Sequence, residues 1–355
     1  MIENIGQGGA ERQLIGLASM LAQDGNEVKI VIYNADFFYL PLLKGTGVEC
    51  EYIAKAENKL RRVPQIIKFI KRYKPDTVIS YLRTPSTIAC IAKLVLRNFK
   101  LIVSERNTNQ SITLRDKIRF SLFRRADWIV PNSYSQKQFI DEHYPELNPK
   151  TVTITNFVDT EHFCPMSGGK VSLDNTIIQI ACVGRVCEQK NVKLFLQAVK
   201  SVVDSGLGLS IDWYGLDFPP YSDECKELKT TLGLDDVFRF HKETSKVKSV
   251  YQSADVMVLP SIYEGFPNVV CEAMSCGLPV LCSDVCDNGR IVRDGENGFL
   301  FNPHSKDSIA GVITRFVNLD KSERVRMGMK SREYALTDFS KESFYNKYKE
   351  LIYGE

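Results

Sequence analysis

Two glutamates are the natural starting point for chemistry in this chain. Glu264 and Glu272 stand eight residues apart in the stretch Ser261-Ile-Tyr-Glu-Gly-Phe-Pro-Asn-Val-Val-Cys-Glu-Ala-Met-Ser-Cys-Gly-Leu-Pro279. The apolar run from Asp255 to Pro260 ahead of them reads as a short strand. Pro267 suits the first turn of a helix, where its missing N–H would be unpaired anyway, and Gly277 and Pro279 stop that helix. Glu264 and Gly265 therefore fall on a strand-to-helix loop whose helix aims its terminal amides and positive dipole end outward. Such a loop suits a ligand carrying both phosphate and hydroxyls. Glu272 lies inside a small, apolar helix of Val269, Val270, Ala273 and Met274, where an unpartnered charge is costly. Its partner is a ligand hydroxyl, a neighbouring loop or water.

A second cluster follows another apolar strand, Ile177–Gly184. It reads Gly184-Arg185-Val-Cys-Glu-Gln-Lys190-Asn191, after which residues 192–203 have helical periodicity. Arg185 can bind two phosphate oxygens at once and Lys190 supplies a mobile point charge, so the pair suits a diphosphate. Either cation alone would read as a surface charge. Three further groups stand at strand ends. Gly8 and Gly9 belong to the glycine-rich opening Met1-Ile-Glu-Asn-Ile-Gly-Gln-Gly-Gly-Ala-Glu-Arg12, before a helical repeat of Leu14, Ile15, Leu17, Ala18 and Leu21. Glu105, Arg106 and Asn107 follow the strand Lys100–Ser104, as neighbours of an acceptor or as a surface ion pair of small worth. His241 ends the strand Val237–Phe240 and reads by itself as a partly exposed loop histidine.

These groups need a scaffold that ends many strands on one side. Strand-like segments (27–33, 50–53, 77–81, 100–104, 126–133 and 151–155) alternate with helical ones (59–73, 84–97 and 135–144). That alternation predicts an α/β fold with a doubly wound parallel sheet, whose ligands bind beyond the carboxyl ends of the strands. A second such unit follows residues 166–175, a polar, glycine-rich linker. From Ser305 to Val317 and again from Ser322 to Tyr348 the pattern is helical.

With 355 residues, 44% hydrophobic and 25% charged, the chain can fill two cores. A net charge of +3 is too small to argue for nucleic acid. Apolar runs are strand-length and no basic-then-apolar leader opens the sequence, which predicts a cytoplasmic protein. The ten cysteines include no C-x-x-C pair, so Cys90, Cys182, Cys271 and Cys282 read as buried thiols and no structural metal is expected. Cations interleaved with apolar residues at 59–74 and 115–125 read either as solvated helix faces or as surfaces for anionic lipid.

The pattern Pro-Ser-x-x-Glu264-Gly-Phe-Pro-Asn, then Glu272-Ala-Met-x-x-Gly-x-Pro-Val, resembles the E-x7-E signature of the retaining nucleotide-sugar glycosyltransferases of family 4. The resemblance implies the GT-B fold: two Rossmann-like, doubly wound α/β domains facing a cleft. It implies an acceptor-binding domain over 1–165, a donor-binding domain over 176–335, and a helix over 336–355 returning to the first. By resemblance Glu264 contacts the donor sugar and Glu272 the ribose, while Arg185 and Lys190 hold the diphosphate. Gly184, Gly265, Phe266, Pro267 and Asn268 complete the donor grip, Gly8 and Gly9 face it across the cleft, and the segment around His241 reads the base through its backbone.

Three features depart from the family pattern. Almost nothing precedes the opening glycines, so the first strand is shortened to Met1–Ile5 or the chain starts late. None of the four histidines (His143, His162, His241, His304) lies in the loop after residue 104, and Phe157 stands where glycine is usual. The resulting expectation is a transferase moving a hexose or N-acetylhexosamine from a nucleotide diphosphate sugar, with UDP the expected nucleotide, to a glycan or lipid-linked acceptor. Without an Asp-x-Asp motif no metal cofactor is expected. The alternatives are a sugar-nucleotide hydrolase or epimerase on the same scaffold, and a non-catalytic nucleotide-sugar-binding subunit.

Overall fold

The computed structural model of the chain describes residues 1–106, 112–167 and 177–354. They form two compact units, Met1–Phe157 with Glu342–Glu355, and Val158–Lys341. Both are parallel α/β structures.

In the first unit β1 (Lys29–Ile32) pairs with β2 (Glu49–Tyr52), and β3 (Thr77–Tyr81), β4 (Lys100–Glu105) and β5 (Trp128–Pro131) pair in that order. Residues Met1–Glu3 run between the two sets. Ile2 N–H donates to the Val31 carbonyl (3.1 Å), Tyr33 N–H to that of Glu3 (3.0 Å) and Tyr81 N–H to that of Met1 (3.0 Å). This segment thus bonds to β1 on one side and β3 on the other, with Ile2 and Ile5 fully buried. The direction of growth reverses there, and the opening glycines follow this switch point, the kind of place where parallel sheets bind ligands.

Helices α1 (Gly9–Gln23), α2 (Lys59–Tyr73), α3 (Arg83–Leu96), α4 (Leu114–Phe123) and α5 (Tyr134–His143) complete this part of the chain. Gly16 lets α1 approach Phe157, since a methyl group there would lie 2.2 Å from the ring. Gln13 brackets Phe157 as well, donating to its carbonyl (2.7 Å) and accepting from its N–H (3.0 Å). A bulky residue at 157 is therefore matched by a missing side chain at 16. The strand expected over 151–155 is only an extended segment: Thr151 makes an isolated bridge to Ile129, and Val152 and Ile154 N–H donate to Ile129 and Pro131.

The second unit holds a six-stranded parallel sheet. Its strands are β6 (Ile177–Val183), β7 (Gly208–Tyr214), β8 (Phe238–His241), β9 (Val256–Leu259), β10 (Val280–Ser283) and β11 (Gly298–Phe301), in the order β11-β10-β9-β6-β7-β8. Growth reverses between β6 and β9, which pair through Ile180 and Val256. Helices α6 (Val192–Asp204), α7 (Tyr221–Thr231), α8 (Val247–Ser253), α9 (Asn268–Ser275), α10 (Asn288–Ile291), α11 (Lys306–Val317) and α12 (Lys321–Asp338) flank it.

The helical pattern over 322–348 forms two helices, α12 and α13 (Lys341–Tyr353). Phe339 breaks it by leaving helical geometry, and its carbonyl accepts from Val158 N–H (2.9 Å) instead of from a following turn. Among the described residues no helix is long and apolar enough to cross a membrane. Cys90, Cys182, Cys271 and Cys282 are free and buried, as the sequence predicts.

Candidate active site

The switch point of the second sheet brings the two sequence clusters together, because β6 leads into Gly184–Lys190 and β9 into Ser261–Pro267. Close backbone approach shapes the first loop. Gly215 must be glycine, since a methyl group there would overlap the Gly184 carbonyl at 1.9 Å. Gly184 N–H donates to Tyr214 (2.9 Å) and its carbonyl accepts from the Trp213 indole (2.8 Å). A single 3₁₀ turn, Glu188–Lys190, then ends at Asn191, whose side-chain amide donates to the Pro303 carbonyl (2.7 Å). The charged loop is therefore fixed by two neighbouring segments, Trp213–Gly215 and the chain at Pro303.

Gln189 ties this loop to the second. Its carbonyl accepts from Ile262 N–H (2.8 Å) and its side-chain amide donates to the Tyr263 carbonyl (2.9 Å). Lys190 Nζ lies 2.5 Å from Glu264 Oε1, with Lys190 8% and Glu264 7% exposed. This corrects the expectation of a mobile charge, because a buried ammonium and carboxylate cannot leave each other without a large desolvation cost. Arg185 is exposed, with its guanidinium 5.4 Å over the Phe218 ring and Nη2 3.3 Å from Gln189 Oε1. The two cations thus differ: Lys190 fixes the carboxylate, and Arg185 stands at the rim.

Helix α9 follows at once. Pro267 is its N-cap residue rather than part of its first turn. Asn268 and Val270 N–H turn back to the carbonyls of Phe266 and Pro267, so these two amides do not aim outward as expected. The tight turn at Pro267 engages them. Gly277, with φ +81°, closes the helix through its N–H to Met274 (2.9 Å) and that of Leu278 to Ala273 (3.1 Å), the glycine-ended stop the sequence predicts. Glu272 is 5% exposed on this helix, and Phe266 packs edge-on against Phe339 (5.6 Å). Gly265 sits half-buried between Glu264 and Phe266.

His241 ends β8 beside the same loops, for its carbonyl accepts from Gly215 N–H (3.1 Å). Its ring stacks on Tyr214 (4.4 Å) and Nε2 lies 2.6 Å from Asp212. Partial burial pushes the Asp212 carboxyl upward, but hydrogen bonds from Arg239 and His241 outweigh it and hold the group below the usual carboxylate range. Sequence reading missed Asp212, although alternation along β7 puts it on the face of Tyr214. It also missed Gln189, whose signal was its place between the two cations, and Arg332. The Arg332 guanidinium reaches the carbonyls of Phe163 (2.9 Å), Ser275 (2.6 Å) and Thr160 (3.0 Å), fixing the end of α9.

Gly8 and Gly9 belong to the first unit, as the cap and first residue of α1. Glu105 and Arg106 do not pair with each other on the surface, since successive strand residues face opposite sides. Glu105 is 1% exposed and meets Arg119 (3.1 Å), which also binds Asp116 (2.9 Å). Burial pushes the Glu105 carboxyl above its usual range, against the pull of Arg119 and Arg83. Arg106 donates to Asn156 (2.6 Å) and the Tyr348 hydroxyl (2.7 Å) and lies 4.2 Å over the Tyr81 ring. Asn107 lies outside the described residues.

Two doubly wound units with an E-x7-E loop at a switch point define a GT-B α/β protein, and comparison with known proteins gives the family. Residues 7–162 match Glycosyltransferase Family 4 and residues 169–334 match Glycosyl transferases group 1. The chain belongs to the family 4-like glycosyltransferases of the GT-B fold and is an enzyme of that class.

It is 24% identical over 340 residues, 90% of each chain, to the N-acetylgalactosamine-N,N'-diacetylbacillosaminyl-diphospho-undecaprenol 4-alpha-N-acetylgalactosaminyltransferase of Campylobacter jejuni. It is also 24% identical to the lipopolysaccharide core biosynthesis glycosyltransferase LpsE of Rhizobium meliloti, over 97% of this chain and 96% of that one. The structure of Anabaena HepE in complex with UDP superposes with a TM-score of 0.85 at 18% identity, covering 100% of this chain and 98% of that one.

Proposed function

We propose that the enzyme transfers a hexose or N-acetylhexosamine, with retention of anomeric configuration, from a UDP-sugar to a glycan or lipid-linked acceptor in the assembly of a bacterial surface polysaccharide. The observation that carries this reading is the buried Lys190–Glu264 pair at the switch point, backed by Arg185. The relatives named above act on lipid-linked glycan and lipopolysaccharide, and HepE was solved with UDP.

In this mechanism Lys190 and Arg185 face the diphosphate as negative charge grows on it, and Glu264 orients the sugar. The carboxylate also keeps Lys190 in place before the donor arrives, so little reorganisation is needed at the transition state. Glu272 holds the ribose and the His241 segment the base. The leaving phosphate itself takes the acceptor proton on the face where the new bond forms, so no separate general base is required. With charge carried by the two cations, transfer proceeds without a metal cofactor and resists excess EDTA.

The enzyme works in the cytoplasm, at the membrane surface. Leu60 (90% exposed), Leu114 (74%) and Ile118 (57%) stand beside Lys59, Arg61, Arg115 and Lys117 in the first unit. That mixture suits an anionic lipid surface. Arg62, Arg72, Arg119 and Arg124 are instead engaged by protein groups.

Thermal shift with UDP-, GDP-, ADP- and dTDP-sugars tests the donor. A UDP-sugar is expected to raise Tm in proportion to the logarithm of its concentration. Absence of a shift with every donor would overturn the proposal.

A further inference from the structure

A cavity of about 390 Å³ opens against the loops of the donor site and shares only Arg185 with the grip described above. Arg185, Glu188, Gln189, Phe218, Pro220 and Tyr263 line it, whereas Gly184, Lys190, Glu264 and Glu272 do not. It belongs wholly to the second unit. Its volume falls within the ~300–1,000 Å³ of small-molecule sites.

Its lining is unusual for a solvent-facing recess. Phe218 and Tyr263 are 43% and 37% exposed, and Pro219 and Pro220 add further exposed apolar surface. Aromatic faces carry negative charge density, so they attract polarised C–H groups while still burying apolar area. Beside them stand the Glu188 carboxylate and the Gln189 amide, an acceptor and a two-way hydrogen-bonding group. Arg185 is engaged by the diphosphate in the proposed function, and Glu224 is neutralised by its ion pair with Lys193, which leaves Glu188 and Gln189 to meet a ligand. A free carboxylate beside an amide repels a phosphate and suits a neutral ligand. One apolar face with a ring of hydroxyls at its edge is the surface of a pyranose.

Position gives the ring its role. Tyr263 directly precedes Glu264, and Gln189 holds the Tyr263 carbonyl at 2.9 Å, so the cavity wall and the donor loop are one structure. We propose that this cavity is an acceptor-glycan subsite on the donor unit, seating a neutral pyranose with its C–H face on Phe218 and Tyr263 and its hydroxyls on Glu188 and Gln189. The inference rests on the transferase reading for the word acceptor, and on the cavity alone for sugar binding.

Saturation-transfer NMR on the full chain without donor tests it, with methyl α-D-glucopyranoside, maltotriose and N,N',N''-triacetylchitotriose as probes. At least one probe is expected to receive saturation at its ring protons. Phe218→Ala should weaken that probe about three- to tenfold, the weight of one aromatic partner, and Glu188→Gln should weaken it while leaving the aromatic wall intact. Both variants should keep the thermal shift given by UDP. No saturation with any probe, or equal saturation in wild type and Phe218→Ala, would overturn the subsite. A missing UDP shift in the wild type counts against the donor reading alone, because the glycan measurement contains no nucleotide.

Discussion

Charged residues stand at the ends of parallel strands in both units, and they are equally buried: Arg106 and Lys190 are each 8% exposed, Glu105 1% and Glu264 7%. Burial therefore does not separate architecture from chemistry here. The partners do. Arg106 joins segments far apart in the chain, Asn156 and Tyr348, and Glu105 closes on Arg119 within a cluster completed by Asp116. These charges act as ties. Lys190 and Glu264 instead link two neighbouring strand-end loops at a switch point, each loop shaped by close backbone contacts. In the proposed function, a charge pair held on such loops acts on the donor.

The largest effect should come from breaking that pair. Glu264→Gln and Lys190→Met are each expected to slow transfer by about 10²–10³-fold, the range seen when a preorganised charge-stabilising group is removed. The double variant should be no slower than about the worse single one, since the two groups act as a unit. Initial rates with the donor found by thermal shift give the answer. Wild-type rates in Glu264→Gln would place the second pair among the ties as well.

Arg106→Met sharpens the other side. It removes two hydrogen bonds donated by a cation and one aromatic contact, a loss of about 2–4 kcal/mol in stability with transfer rate within a few-fold of wild type. Tyr348→Phe should cost about half as much, since it deletes one hydroxyl. The chain contains two tryptophans, Trp128 in β5 and Trp213 in β7, so each unit reports its own unfolding in denaturant. Only the Trp128 signal is expected to move. A shift confined to Trp213, or a large loss of rate, would contradict the role of Arg106 as a tie.

Much of this was legible in the sequence, for identifiable reasons. The strand Thr77–Tyr81 and the helix Lys59–Tyr73 were readable to the residue because apolar runs and periodicity end at clear stop signals. The two strand-end loops could be singled out because Arg185 and Lys190, and then Glu264, follow apolar strands at short spacings, and the structure brings Lys190 and Glu264 together. What spacing does not carry is side-chain direction across a fold. It did not reveal that Lys190 points at Glu264, that Glu105 and Arg106 turn to opposite sides, or that Phe157 is received by Gly16, 141 positions earlier. Nor did helical periodicity show the break at Phe339, whose cause is a carbonyl accepting from Val158.

The smallest effect is one of sign. Asp212 is held below the usual carboxylate range in the folded chain, so its contribution is present above about pH 4 and is lost as pH falls through its folded value. Glu105 is raised, so its contribution is full below the ordinary carboxylate value and is lost as pH rises through its folded value. Asp212→Asn should therefore cost about 0.5–1 kcal/mol near neutrality, modest because the pair is partly solvated, and nothing in acid. Glu105→Gln should show the reverse trend, its cost relative to wild type growing as the solution is acidified, because only the wild-type carboxyl gains a proton on folding. Denaturant titrations of both variants at a series of pH values, read at Trp213 and Trp128 respectively, give the two slopes. Slopes of equal sign would mean that the strand-end carboxylates of the two units sit in the same electrostatic environment, and the contrast between a solvated, cation-held Asp212 and a desolvated Glu105 would be lost.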